Sequence, residues 1–307
     1  MQVRKPLGLG LLLLLGGAMV LGQMVLGQTS PVAGWRHGRF GWTIIRPFPD
    51  APYPAASRAH GYAYQGKFYS FAAHYDDSRV AIFIPAGYRP GSRINFIVHF
   101  HGWNNHLSRA LPYYRLPQQV EDSGVNAILV LPQGPFDAPD SDDGKLTSQP
   151  GDFAGLMGEV ARFLHAQGRV RTTRIGAIVI SSHSGGNRAA SDVLQFGGLT
   201  RHITDVFLFD SAYGDLPGFL HWLEAGHHRR LVSVFTDDTS GGNLDLMAGL
   251  QAAGKPITLM TKASLTRRAL ARRGGVFLYT PHLPHDHIMQ RRSYFQLFLA
   301  TSRLPRR

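Results

Sequence analysis

Three short clusters in the chain combine residue types that could activate a nucleophile. The first is Ser182-His183-Ser184-Gly185-Gly186, which follows the apolar run Ile178-Val179-Ile180. A serine between small residues at the end of a strand can be held in a strained turn. Such a turn lifts the hydroxyl above the sheet and aims the following backbone N–H at the same space. Ser184 is therefore a candidate nucleophile and Gly185 a candidate N–H donor. Ser182 stands where this pattern usually carries a glycine. The plainer alternative is a glycine-rich turn from strand to helix, of the kind that can bind an anion.

The second cluster must supply a base. In "TPHLPHDHIMQRR" three histidines follow the last strand-like run. His282, His285 and His287 all qualify by location. His285 is the choice for a loop-borne imidazole, with His287 as the alternative. The third cluster must supply an acid that fixes the tautomer of that imidazole. Asp210 directly follows "VFLF", and Asp237 and Asp238 lie in "FTDDTSGGN". Asp210 is preferred because its run is more apolar and Tyr213 is close by. Asp237 and Asp238 sit among turn formers, where a solvated role is the ordinary one.

The stretch "HFHGWNNH" could provide further donors. Backbone N–H groups of Gly102 and Trp103 could face a developing oxyanion. His99, His101 and His106 invite a metal reading, but no carboxylate nearby completes a ligand set. No metal and no organic cofactor is expected. The aspartates Asp137, Asp140, Asp142 and Asp143 depart from calcium-loop spacing and read as a solvated loop bordering the site.

These residues need a scaffold that brings them together. Apolar runs at 67–74, 79–86, 95–102, 126–134, 174–182, 203–210, 230–238 and 275–281 read as eight strands. Helical patterns fall at 151–168 and near 185–196, 216–225, 242–253 and 288–301. Near-continuous apolar strands alternating with helices imply a mostly parallel sheet covered on both faces, with the first two strands an antiparallel edge. Functional residues in such sheets gather at the carboxyl ends of strands, where all the candidates above fall. Residues 28–65, rich in Pro, Gly, Ala and aromatics, read as a linker and irregular lead-in, and 66–307 as one domain.

Composition sets outer limits. The 307 residues are 44% hydrophobic and 17% charged, which is globular. The chain has no cysteine, so disulfides, zinc-thiolate sites and thiol nucleophiles are excluded. The formal charge is +12, with pairs at Arg267-Arg268, Arg272-Arg273, Arg291-Arg292 and Arg306-Arg307. No nucleic-acid motif accompanies it, so contact with an anionic envelope surface is the expected use of the charge. Residues 1–27 begin with Arg4 and Lys5 and continue as an apolar segment ending in Val25-Leu26-Gly27. That is the pattern of an export signal, with a retained membrane anchor as the alternative.

On "VHFHGW", "SHSGG", Asp210 and the terminal "HDH", the chain resembles the α/β-hydrolase superfamily over about residues 66–303. "SDDGKL", "HSGGNR" and "LFDSAYGD" look more narrowly like a group of exported bacterial hydrolase-like proteins of unassigned activity. The resemblance implies an eight-stranded fold, a nucleophile at Ser184, a base among His285 and His287, and an oxyanion hole at Gly102, Trp103 and Gly185. The expected activity is cleavage of a small-molecule or polymer ester or amide through an acyl-enzyme. A non-catalytic binding protein on the same fold, holding an anionic envelope polymer, is the alternative.

Overall fold

The computed structural model describes residues 34–290 and 293–307. The export-signal reading of residues 1–27 and the Arg291-Arg292 pair lie outside the described residues. The strands are β1 (Arg36–Gly38), β2 (Gly41–Pro47), β3 (Tyr62–Tyr64), β4 (Lys67–Tyr69), β5 (Arg79–Pro85) and β6 (Ile94–Phe100). They continue as β7 (Ile128–Pro132), β8 (Ile175–His183), β9 (Ile203–Phe209), β10 (Arg230–Phe235), β11 (Ile257–Thr261) and β12 (Gly274–Tyr279). Ten of them form one sheet in the order β1-β2-β5-β7-β6-β8-β9-β10-β12-β11.

From β7 to β11 every neighbouring pair is parallel. The edge formed by β1, β2 and β5 is antiparallel. Alternate residues of the central strands point into two cores. Phe96, Val98, Ile178, Ile180, Val206 and Leu208 face the helices Asp152–Ala166, Asn187–Phe196 and Leu216–Glu224. Ile97, Val179, Phe207, Phe209, Val232 and Val234 face Leu116–Ser123 and Tyr294–Ala300. Burial on both faces is why these strands read as unbroken apolar runs.

Several elements differ from expectation. The stretch 28–65 is not irregular throughout, because β2 lies in it and pairs with β5 over seven residues. Ile44 and Phe48 bury into the first core, and Phe48 meets Phe163 edge-on at 5.7 Å. The expected strand at 67–74 shortens to β4 and a helical turn at Phe71–His74, and β4 pairs with β3 in a separate two-stranded ribbon. The main sheet loses that strand and gains β1 and β2 at one edge and β11 at the other, so it has ten strands rather than eight. Two helices, Leu107–Tyr113 and Leu116–Ser123, link β6 to β7.

Candidate functional site

The carboxyl end of β8 carries the strained residue. Ser184 follows His183 with φ of 54°, in the left-handed region. A non-glycine residue there costs about 1–3 kcal/mol and persists only where its surroundings hold it. Its carbonyl accepts a hydrogen bond from Ser211 Oγ at 2.7 Å and another from the Asn187 N–H. Gly186 must be glycine, since a Cβ there would sit 2.6 Å from the Phe100 carbonyl oxygen. Gly102 is equally constrained: a Cβ would lie 2.5 Å from Ser184 Cβ. The end of β6 thus presses directly against the serine, and Trp103 follows beside it.

Asp210 emerges from β9 with φ of 47° and is fully buried. Its Oδ1 accepts the Thr236 N–H at 2.9 Å and the Thr239 hydroxyl. Its Oδ2 accepts the Thr236 hydroxyl at 2.7 Å and lies 2.7 Å from His285 Nδ1. Burial alone would raise the carboxyl pKa, but the hydrogen bonds from His285, Thr239 and Thr236 outweigh it and hold the pKa below its ordinary value. An ionised carboxylate has no proton to give, so His285 Nδ1–H is the donor. For His285 burial pulls the pKa down, while the hydrogen bond to Asp210 and that residue's charge raise it, and the net shift is upward.

The two halves of the site meet through His183. Its ring lies 4.7 Å from the His285 ring, centroid to centroid, which sets His285 beside the residue that precedes Ser184. No hydrogen bond joins Ser184 Oγ to His285 among the described residues. A cavity of about 270 Å³ opens at the serine, lined by Trp103, Ser141, Ser184, Gly185, Asn187 and Tyr213. A second cleft of about 410 Å³, near the ends of β11 and β12, is lined by none of Ser184, Asp210 or His285.

The remaining candidates fall elsewhere. Asp237 is exposed, accepts the Tyr279 hydroxyl and lies 3.9 Å from the exposed His282. Asp238 is exposed in the 3-10 turn that follows β10. His287 opens the short helix His287–Gln290, and its N–H goes to the Pro284 carbonyl. Asp210, Asp238 and His285 have the mutual reach of a metal-binding group among the described residues. The Asp210 oxygens, however, are already engaged by His285 and the two threonines.

The histidines near β6 have separate partners. His99 Nδ1 meets Ser181 Oγ at 3.0 Å, and His106 stacks on Phe136 at 4.6 Å. His101 is buried and bonds at both ring nitrogens.

The acidic loop is solvated as expected only at Asp137. Asp140, Asp142 and Asp143 are buried. Arg58 contacts Asp140 at 2.6 and 3.0 Å and Asp142 at 3.1 Å. Burial, with the charges of Asp142 and Asp140, pushes the Asp143 pKa well above its ordinary value. The loop seats Ser141, whose Oγ accepts the indole N–H of Trp103 at 2.7 Å. Thr236, Thr239 and Ser211 are the contributors that sequence reasoning missed. Thr236 and Ser211 directly follow strand-end runs already singled out, which was the available signal.

No protein-family profile and no curated protein sequence matches the chain. Among solved structures, a mutant feruloyl esterase module from Clostridium thermocellum, complexed with sinapinate, is 11% identical. It covers 88% of this chain and 95% of that one with a TM-score of 0.49. The fluorophosphonate-binding serine hydrolase FphF of Staphylococcus aureus is 10% identical, covering 84% and 98%, with a TM-score of 0.47. An S-formylglutathione hydrolase from Agrobacterium tumefaciens is 9% identical, covering 87% and 95%, with a TM-score of 0.47. The order of the ten strands, the antiparallel β1-β2-β5 edge and the helices on both faces give this chain an α/β-hydrolase fold.

Proposed function

We propose that the protein is a serine hydrolase acting on a small carboxylic ester or amide, with Ser184, His285 and Asp210 as its triad. The observation that carries this reading is the 2.7 Å pair of His285 and Asp210, set against the strained turn at Ser184. Asp210 engages Nδ1, which leaves Nε2 as the nitrogen that exchanges a proton with the serine. Ser184 Oγ attacks the substrate carbonyl carbon and its proton passes to Nε2. The carbonyl oxygen becomes an oxyanion facing the backbone N–H groups of Trp103 and Gly185. Collapse of the tetrahedral intermediate breaks the bond to the leaving group, which takes the proton from His285. Water then releases the acyl group by the same steps. Catalytic hydrogen bonds commonly close only in the substrate complex, so an open Ser184–His285 contact in the free protein is compatible with this route. On residues 1–27 and the exposed arginines, the same proposal places the enzyme outside the cytoplasm at an anionic envelope surface.

The test is labelling of the purified protein by a fluorophosphonate, with Ser184→Ala and His285→Ala alongside. Labelling of the wild type that disappears in Ser184→Ala and drops at least a hundredfold in rate in His285→Ala is the expected result. A folded wild type that takes no label would rule the mechanism out.

A further inference from the structure

Both peptides that offer an N–H beside Ser184 are gripped at their carbonyl ends by buried side chains. The Gly102 carbonyl accepts His101 Nδ1–H at 2.8 Å. The Ser184 carbonyl accepts Ser211 Oγ–H at 2.7 Å. In a planar trans peptide the C=O and N–H of one unit point in opposite directions. Holding the Gly102 carbonyl therefore orients the Trp103 N–H. Holding the Ser184 carbonyl orients the Gly185 N–H.

Each gripping side chain is itself held in its role. His101 Nε2 faces two donors, the Gly134 N–H at 3.0 Å and the Gln133 side-chain amide at 3.0 Å. Nε2 must then be the acceptor, which leaves the ring proton on Nδ1, pointing at Gly102. Burial pushes the His101 pKa down to about 4, so the ring stays neutral in this tautomer above that pH. Ser211 Oγ lies 2.8 Å from Ser182 Oγ. A hydroxyl has one proton, and that of Ser211 goes to the Ser184 carbonyl, so Ser182 donates to Ser211. Ser182 and Ser211 are both fully buried. The serine that replaces the usual glycine of the turn thus has a defined task.

We infer that His101 and Ser211 are positioning residues that set the two oxyanion donors, with Ser182 fixing the direction of the Ser211 hydroxyl. This rests on the hydrolase reading above. It reaches beyond it by assigning the geometry of the donors to side chains that touch neither substrate nor nucleophilic oxygen. It also links the acid to the nucleophile, since Ser211 is the neighbour of Asp210.

The experiment measures kcat and KM on a soluble ester for the wild type, Ser211→Ala, Ser182→Ala, His101→Leu and His101→Asn. It adds the affinity of each for a boronic acid, which mimics the tetrahedral state. Ser211→Ala and His101→Leu should each lose about tenfold to a hundredfold in kcat with KM within twofold. That is less than the roughly 10²–10³ lost when a donor is deleted outright. Boronate affinity should fall in parallel with kcat/KM, a correlation that loss of folded protein alone would not produce. His101→Asn keeps an N–H near the Nδ1 position and should recover most of the loss. Ser182→Ala should show a smaller effect of the same kind, and it carries the test if Ser211→Ala does not fold. Variants that keep kcat within twofold, or lose kcat with unchanged boronate affinity, would overturn the inference. A wild type that neither turns over esters nor takes a fluorophosphonate would instead overturn the hydrolase reading beneath it.

Discussion

At the residue scale, the His285–Asp210 pair makes a directional statement about pH. A general base must be neutral, so kcat/KM should fall as pH drops through the raised His285 pKa. The acid limb should therefore lie above the ordinary histidine value of about 6.5. Asp210→Asn removes the charge that raises that pKa and, with its amide oxygen held by the Thr236 N–H and Thr239, turns an NH2 donor toward Nδ1 in place of the acceptor. It should move the limb to lower pH and lower kcat by about 10⁴-fold, the loss expected when the imidazole takes the wrong tautomer. A limb that stays in place in the variant would exclude Asp210 as the partner that sets it. The same shifts bear on stability. The His285 contribution is fully present below about pH 6.5 and is lost as pH rises through its raised folded value. The Asp210 contribution is present above about pH 3.9 and is lost as pH falls through its depressed folded value. The candidate residues were legible as types at strand ends, but their pairing was not. Three aspartates and two histidines stood open, and what separates them is burial and the threonine donors around Asp210. Both depend on how β9 and β10 lie side by side, which no local pattern encodes.

At the element scale, legibility followed burial. The central strands, covered on both faces, appear as apolar runs and were found within a few residues. The peripheral ones were missed for physical reasons. β2 lies among prolines and glycines, and only Gly41 and Ile44 of its seven residues are buried. β11 is an edge strand with one buried residue, Met260, so it carries little hydrophobic signal. A buried ion pair is still less visible. Arg230 on β10 meets Asp205 on β9 at 2.5 Å, with side chains 3% and 0% exposed. The same guanidinium donates to the Leu270 carbonyl at 2.7 Å and the Phe298 carbonyl at 3.3 Å. One side chain thus ties two strands to the short helix Arg267–Leu270 and to the C-terminal helix. Removing it leaves the buried Asp205 carboxylate without its cation, held only by the Thr204 hydroxyl and the Arg303 N–H, and takes a donor from the Leu270 carbonyl. Arg230→Ala should cost about 3–5 kcal/mol in urea unfolding, and removing Asp205 as well should recover part of that loss. A cost under about 1 kcal/mol would mean that the carboxylate finds other partners.

At the scale of the whole molecule, the surplus of positive charge divides into two populations. Arg58, Arg79, Arg230 and Arg307 are paired with carboxylates. Arg46, Arg169 and Arg229 lie over aromatic rings at 4.5 to 5.3 Å. These serve the fold, and the charge of a paired arginine is cancelled locally. Lys262, Arg267, Arg268, Arg272 and Arg273 are different: all five are exposed in the segment between β11 and β12. A cluster of that kind attracts an anionic surface at about 1 kcal/mol per residue close to it. The attraction decays over the Debye length, ~10 Å at 0.1 M salt and ~3 Å at 1 M. Co-sedimentation with phosphatidylglycerol vesicles should therefore be strong at about 0.1 M salt and lost near about 1 M. Changing Arg267, Arg268, Arg272 and Arg273 together to glutamine should weaken it at least tenfold, while turnover of a neutral soluble ester stays unchanged. If the quadruple variant binds as the wild type does, the surface contact lies elsewhere on the molecule. If turnover falls with it, the segment supports the site rather than a membrane.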